Sequence, residues 1–178
     1  MSKKLLIIGA GGHGKVLADT VLENSIYSLS GFADSTVPVG TSVIAAHKVI
    51  TNLNKPEEWN SMAEYFIVAI GNNKIRSEWY EKAAKFLKPA NIFHPSAVVS
   101  KFAKIGEGTV ILARSVVNSG TVIGKNGIIN SMVLVDHECV IGDHVHIAQG
   151  TIVGSNCIIG DLFVSKLGEK IESNSKRT

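Results

Sequence analysis

The sequence is poor in charge of one sign, poor in cysteine and without a long apolar run, and each shortage removes a class of protein. Its 18 Lys and Arg stand against 15 Asp and Glu, a formal net charge of +3 over 178 residues. The cations are scattered and only the stretch Ser173 to Thr178 is locally basic, so neither a nucleic-acid groove nor a patch for an anionic membrane is expected. The apolar run after Lys3 and Lys4 extends only from Leu5 to Ile8 before Gly9 interrupts it. That is too short for a signal-peptide core or a membrane span, and a cytoplasmic location is expected. With two cysteines, cross-linking is not what holds the chain together, whereas 45% hydrophobic content is ample for a core.

What the second half does have is a period. A bulky apolar residue recurs at every sixth position from Phe93 through Val99, Ile105 and Ile111 to Ile159 without a miss, and a small or polar residue follows most of them. Six fits neither a helix, at 3.6 residues, nor an ordinary strand, at 2. It fits a parallel β-helix of triangular section, in which each hexapeptide is one short strand and a corner, and three make a coil. The recurring side chain points inward and stacks on its equivalent in the next coil. Cys139 and Cys157 lie eighteen residues apart, one full coil, and so share a corner about 4.8 Å apart. Stacked side chains pointing the same way have poor geometry for a disulfide, so both are expected as small buried fillers in reduced form.

The first ninety residues have another pattern. Leu5-Leu6-Ile7-Ile8 reads as a central parallel strand that runs straight into Gly9-Ala10-Gly11-Gly12-His13-Gly14. A helix with Val16, Leu17, Thr20 and Val21 on one face is expected next, then a strand over Ser28–Ala33 that ends at Asp34, and another over Tyr65–Ile70 that ends at Gly71. Pro56-Glu57-Glu58-Trp59 reads as a helix start, and a further helix is expected over Ser77–Leu87, stopping before Pro89. Strand, glycine loop, helix and strand make a small Rossmann-like α/β domain.

Gly9, Gly11 and Gly14 have the G-x-G-x-x-G spacing, and Asp34 comes twenty residues after Gly14, where a ribose-binding carboxylate would sit. Such glycines let backbone N–H groups approach a pyrophosphate at a helix N-terminus, where the helix dipole favours negative charge. A nicotinamide-dependent oxidoreductase is one reading. However, a dinucleotide site normally needs two mononucleotide halves and ninety residues hold one, so a mononucleotide or nucleotide sugar fits the size better. A turn that merely closes strand on helix is the remaining alternative.

The repeat segments Ala103-Lys104-Ile105-Gly106-Glu107-Gly108 and Thr121-Val122-Ile123-Gly124-Lys125-Asn126 resemble the hexapeptide-repeat acyltransferases. That resemblance implies a left-handed coil, a homotrimer, and acyl-CoA between neighbouring coils. With Gly9 to Gly14, Ala69-Ile70-Gly71-Asn72-Asn73, His94-Pro95-Ser96-Ala97 and above all Asp136-His137-Glu138-Cys139-Val140-Ile141-Gly142, the chain from Lys4 to about Gly160 resembles the sialic acid O-acetyltransferase and UDP-amino-sugar N-acetyltransferase family. Its members modify bacterial surface glycans. The resemblance implies acetyl transfer from acetyl-CoA to an amino group, or a hydroxyl, of a UDP-linked amino sugar. It assigns the nucleotide sugar to Gly11, Gly12, His13, Asp34 and Gly71, the general base to His137, and a place near the acetyl-CoA to His146.

Chemistry supports His137 independently, because transfer to an amine requires a proton acceptor that works near neutrality, and imidazole is one. Glu138, or the flanking Asp136, is in position to accept the other ring N–H. His137, His144 and His146 have no evident fourth ligand, and Cys139 is explained as a corner filler, so no metal is expected.

The expected domains are residues 1–90, an α/β unit; 91–164, a β-helix of roughly four coils; and 165–178, an irregular tail. The register breaks at Ser165, and Leu167 to Asn174 is polar and unpatterned. Family members are expected to continue for further coils and finish with a Gly-x-Pro-Ala-Lys-like segment over the CoA. An end left open after Ile159, plugged at most by Leu162, Phe163, Val164 and Leu167, implies weak acetyl-CoA binding and looser assembly. A non-catalytic UDP-sugar-binding relative with an incomplete CoA site is therefore an alternative.

Overall fold

The computed structural model describes residues 3–178, so Met1 and Ser2, which open the expected α/β domain, lie outside the described residues. The chain divides into two units, residues 1–90 and 91–178.

In the first unit Leu5 to Ile8 are wholly buried within strand β1 (Lys3–Ile8). Apolar side chains on both faces suit a strand that is covered on both, and β1 lies inside the sheet. It pairs in parallel with β2 (Tyr27–Ala33) on one side and β5 (Tyr65–Val68) on the other. With β3 (Ser42–Ile44), β4 (His47–Thr51) and β6 (Lys88–Pro89), the sheet order is β3-β4-β2-β1-β5-β6, and β3 runs antiparallel to β4. Leu6, Ile8, Phe66 and Val68 share one core with Tyr80 and Ala83 of helix α2 (Asn73–Ala83) and with Trp59. By strand alternation Leu5 and Ile7 serve the opposite face.

Several boundaries differ from the sequence expectation, each for a local reason. Helix α1 (Gly12–Glu23) buries Leu17, Ala18, Thr20 and Val21, whereas Val16 is exposed. Helix α2 begins at Asn73 rather than Ser77, because the Asn72 side chain accepts the Ile75 N–H at 3.1 Å and caps it. Strand β5 stops at Val68, and Pro56–Ser61 is a short 3-10 helix that buries Trp59.

The second unit is a left-handed parallel β-helix of two-residue strands on three faces. One face stacks β7 (Ile92–Phe93), β10 (Val110–Ile111), β13 (Ile128–Ile129) and β16 (His146–Ile147). The second stacks β8 (Val98–Val99), β11 (Val116–Val117), β14 (Leu134–Val135), β17 (Ile152–Val153) and β19 (Lys170–Ile171). The third stacks β9 (Lys104–Ile105), β12 (Val122–Ile123), β15 (Val140–Ile141), β18 (Ile158–Ile159) and β20 (Lys176–Arg177). In the strands before β20 the second residue points inward, and Ile111, Val117, Ile123, Ile129, Val135 and Ile141 belong to one core cluster, whereas Arg177 of β20 is exposed. Cys139 and Cys157 are free and buried, and their thiols donate to the carbonyls of Gly154 and Glu172, both at 3.1 Å. Burial pushes the Cys139 thiol up from its ordinary pKa.

The expectation of an irregular tail is corrected. Ser165 does not break the register but fills its inward slot, 4% exposed, and its hydroxyl is satisfied there. Its Oγ accepts the Ala148 N–H at 2.7 Å and lies 2.9 Å from Thr151 Oγ1. Ile171, six residues on, is buried again, and β19 and β20 add a fifth strand to two faces, so the helix exceeds four coils. Leu162 and Leu167 are exposed rather than folded into a plug, Val164 bridges to His146, and Phe163 packs on the core. The premise for weak acetyl-CoA binding, a ladder left open after Ile159, is therefore absent.

Candidate functional site

The glycine loop leaves β1 where the chain order of the sheet switches direction, since β2 lies on one side and β5 on the other. Loops beyond the carboxyl ends of strands at such a point are the usual ligand crevice of open α/β sheets. Gly9 takes φ +108° with its missing Cβ directed at the Ala69 carbonyl, 2.9 Å away, and a Cβ on Gly14 would fall on the Gly9 carbonyl. These two glycines serve close packing. At Gly11, Gly12 and Gly71 a Cβ would meet nothing within 4 Å, so the backbone there faces open space. The N-cap residue Gly11 has no side chain with which to cap the start of α1, and His13 is half-buried in that first turn.

Asp34, 9% exposed, is in the expected place but already occupied. Its Oδ2 accepts the Ala10 N–H at 2.8 Å, and its Oδ1 accepts from Thr36 N–H at 2.8 Å, Thr36 Oγ1 at 2.9 Å and Val37 N–H at 2.9 Å. A carboxylate offers about four acceptor positions, so Asp34 ties the glycine loop to the loop after β2. Burial pushes its pKa up, but these bonds together outweigh burial and hold it below the ordinary range. Arg76, unmarked in the sequence analysis, is wholly buried and donates from Nη1 to the carbonyls of Ile70, at 3.1 Å, and Gly71, at 3.3 Å. Burial lowers its pKa to about 10.

In the β-helix, His137 stands exposed on the corner between the second and third faces. Among the described residues its ring makes no hydrogen bond to Asp136 or Glu138, although both adjoin it. Asp136 Oδ1 accepts the His137 backbone N–H at 2.8 Å and Asn118 Nδ2 at 2.9 Å. The Asn118 bond first, then the His137 N–H and the nearby imidazole, lower the Asp136 pKa against a smaller effect of burial. Asn118, one coil below, is visible only once the eighteen-residue register is laid out. On either side of this corner the faces are apolar yet exposed, with Val98 and Ile152 on one and Val122, Val140 and Ile158 on the other.

His146 lies on the first face, across the triangular section from His137, so one chain does not bring the two together. Its Nε2 is 3.1 Å from Asn130 Nδ2, and His144 Nδ1 is 2.8 Å from Asn126 Nδ2. Among the described residues no group of three or more His, Cys, Asp or Glu side chains converges to hold a metal ion.

Residues 4–83 match the PglD N-terminal domain family. A Bacillus subtilis (strain 168) protein, UDP-N-acetylbacillosamine N-acetyltransferase, is 35% identical over a 121-residue alignment that covers 62% of this chain and 52% of that protein. The match thus spans about half the length of that curated relative. PerB from Caulobacter crescentus, solved with CoA and GDP-perosamine, is 26% identical with a TM-score of 0.76 over 97% of this chain and 84% of that one. The acetyltransferase domain of PglB from Neisseria gonorrhoeae FA1090 superposes with a TM-score of 0.76 at 33% identity, over 98% of this chain and 88% of that one, and has also been solved with acetyl coenzyme A. On that likeness the chain belongs to the PglB and PerB family of nucleotide-amino-sugar acetyltransferases, an α/β domain followed by a hexapeptide-repeat β-helix.

Proposed function

We propose that the chain moves the acetyl group of acetyl-CoA to the amino group of a UDP-linked amino sugar, with His137 as general base. The observation that carries this is the exposed imidazole on a corner flanked by Asp136 and Glu138, with Asp136 pinned by Asn118. His137 takes the proton from the sugar nitrogen as that nitrogen attacks the thioester carbonyl. The new C–N bond forms, the C–S bond breaks, and the imidazolium returns its proton to the departing CoA thiolate. Glu138 steadies the imidazolium that forms. No covalent enzyme intermediate is required.

The nucleotide end of the sugar is assigned to His13 and to Gly11, Gly12 and Gly71, where the backbone opens beyond the carboxyl ends of β1 and β5. Asp34 acts there by holding the loop in shape. The exposed apolar ladders beside His137 support burial against further copies, in a homotrimer. Because His146 is across the section, it serves the acetyl-CoA of a neighbouring copy's site. The reaction is placed in the cytoplasm, its product feeding surface glycan synthesis.

Mass spectrometry of reactions with acetyl-CoA and either UDP-N-acetylbacillosamine or GDP-perosamine tests the reading. A hydroxylamine-stable acetyl group on the UDP sugar is expected with the native chain and not with His137→Ala. No acetylation of either sugar, or an ester in place of an amide, would overturn it.

A further inference from the structure

We infer that Gly120 is a positioning residue of the His137 corner, the seat that holds the Glu138 carboxylate; this rests on the acetyl-transfer reading above. Gly120 has φ +73°. That conformation does not itself call for glycine, because Arg114, Met132, His144 and Leu162 adopt it at equivalent corners. Space does. A Cβ on Gly120 would stand 2.5 Å from Glu138 Cδ and 2.7 Å from Oε2, inside the volume the carboxylate occupies. At Gly168, also left-handed at φ +65°, a Cβ would meet nothing within 4 Å, and at Gly150 only the Gly168 Cα at 3.8 Å. Gly120 thus differs from these corner glycines in having its missing side chain replaced by a named functional group.

The neighbours of Gly120 shape the rest of the same corner. Asn118 donates to Asp136, the Ser119 carbonyl accepts the Glu138 N–H at 3.1 Å, and Thr121 Oγ1 donates to the Asp136 carbonyl at 2.7 Å while accepting the Cys139 N–H at 3.2 Å. The turn 118–121 is a mould for the turn 136–139, and within it Asn118 sets one flanking carboxylate and Gly120 the other. Ser119 and Ser155, stacked below and above His137, carry no charge. Among the described residues Asp136 and Glu138 are therefore the carboxylates that adjoin it along the corner, while the buried Cys139 thiol turns inward toward the His137 and Gly154 carbonyls.

Gly120→Ala expels the carboxylate, and because the displaced atoms are the end of a flexible side chain the variant is expected to fold. Its kcat for acetyl transfer to UDP-N-acetylbacillosamine is expected to fall as far as that of Glu138→Gln, and its kcat–pH profile to follow that variant. In the Glu138→Gln background, Gly120→Ala is expected to add no further loss, since the two act through one group. Gly168→Ala carries the same backbone strain into open space and should leave kcat and the pH profile unchanged. A native kcat and pH profile in Gly120→Ala, or a loss that multiplies in the double variant, would overturn the seat while Glu138→Gln and His137→Ala remain impaired. Native turnover in His137→Ala would instead remove the reading on which the seat rests.

Discussion

In the α/β unit a Cβ added at Gly11, Gly12 or Gly71 would meet open space, whereas in the β-helix one added at Gly106, Gly124 or Gly142 would run into the next coil. At Gly106 the nearest atoms are the Gly124 carbonyl carbon at 2.5 Å and oxygen at 2.6 Å; at Gly142 they include the Asp161 nitrogen at 2.7 Å and the Gly160 carbonyl carbon at 2.9 Å. The same residue type therefore marks open backbone in one unit and coil-to-coil contact in the other. Under the proposed function, recognition in the first unit would rest on side chains that are missing, and chemistry in the second on a few side chains set on otherwise uniform corners.

Substitutions sharpen that contrast, from the largest expected effect downward. Gly142→Ala forces a methyl group against backbone that cannot rotate away, and a loss of about 3 kcal/mol is expected, at the upper end for overpacking. Urea denaturation checks it, and a loss below ~0.5 kcal/mol would show that the coils can part.

Ser165→Val restores the apolar period and is nonetheless expected to destabilise by about 1–3 kcal/mol. It leaves the buried Ala148 N–H and the Thr151 hydroxyl without their shared oxygen. Equal or higher stability would mean that the period alone governs the slot.

Asp34 links the first unit to pH. Its folded pKa lies below the unfolded value of about 3.9, so its contribution is present above that value and lost as pH falls through the folded one. Stability of the native chain between pH 5 and pH 2.5 is expected to fall more steeply than that of Asp34→Ala; parallel curves would contradict the tether. Gly12→Ala has the smallest expected effect on the fold, and of opposite sign. It stabilises by about 0.4–1 kcal/mol through the unfolded chain while weakening nucleotide-sugar binding. A stability gain with unchanged affinity would show that no ligand approaches the loop there.

The β-helix was legible because one side chain in six reports the register directly, and it stayed legible until a polar residue took an inward slot. Ser165 fits there only because Ala148 and Thr151 supply partners one coil away, which no local window reveals. In the α/β unit the strands and the glycine loop were visible, but the start of α2 depended on the Asn72 cap, and the β3-β4 hairpin carried no readable period. His137 and Glu138 were legible as a motif. Asn118 and Gly120 were not, since their relation to that motif exists only across the coil spacing. Asp34 was found by position, whereas its four bonds depend on how residues 34–37 turn.

The central claim is that nucleotide-sugar binding resides in the first unit and acetyl transfer at the His137 corner. One crossed measurement tests it most directly: calorimetric Kd for UDP-N-acetylbacillosamine and kcat for CoA release, on His137→Ala and Asp34→Ala side by side. His137→Ala is expected to keep the native Kd while kcat drops by roughly 10²–10⁴, and Asp34→Ala to raise Kd about tenfold or more with kcat at saturation nearly intact. Native turnover in His137→Ala, or a native Kd in Asp34→Ala, would contradict that division.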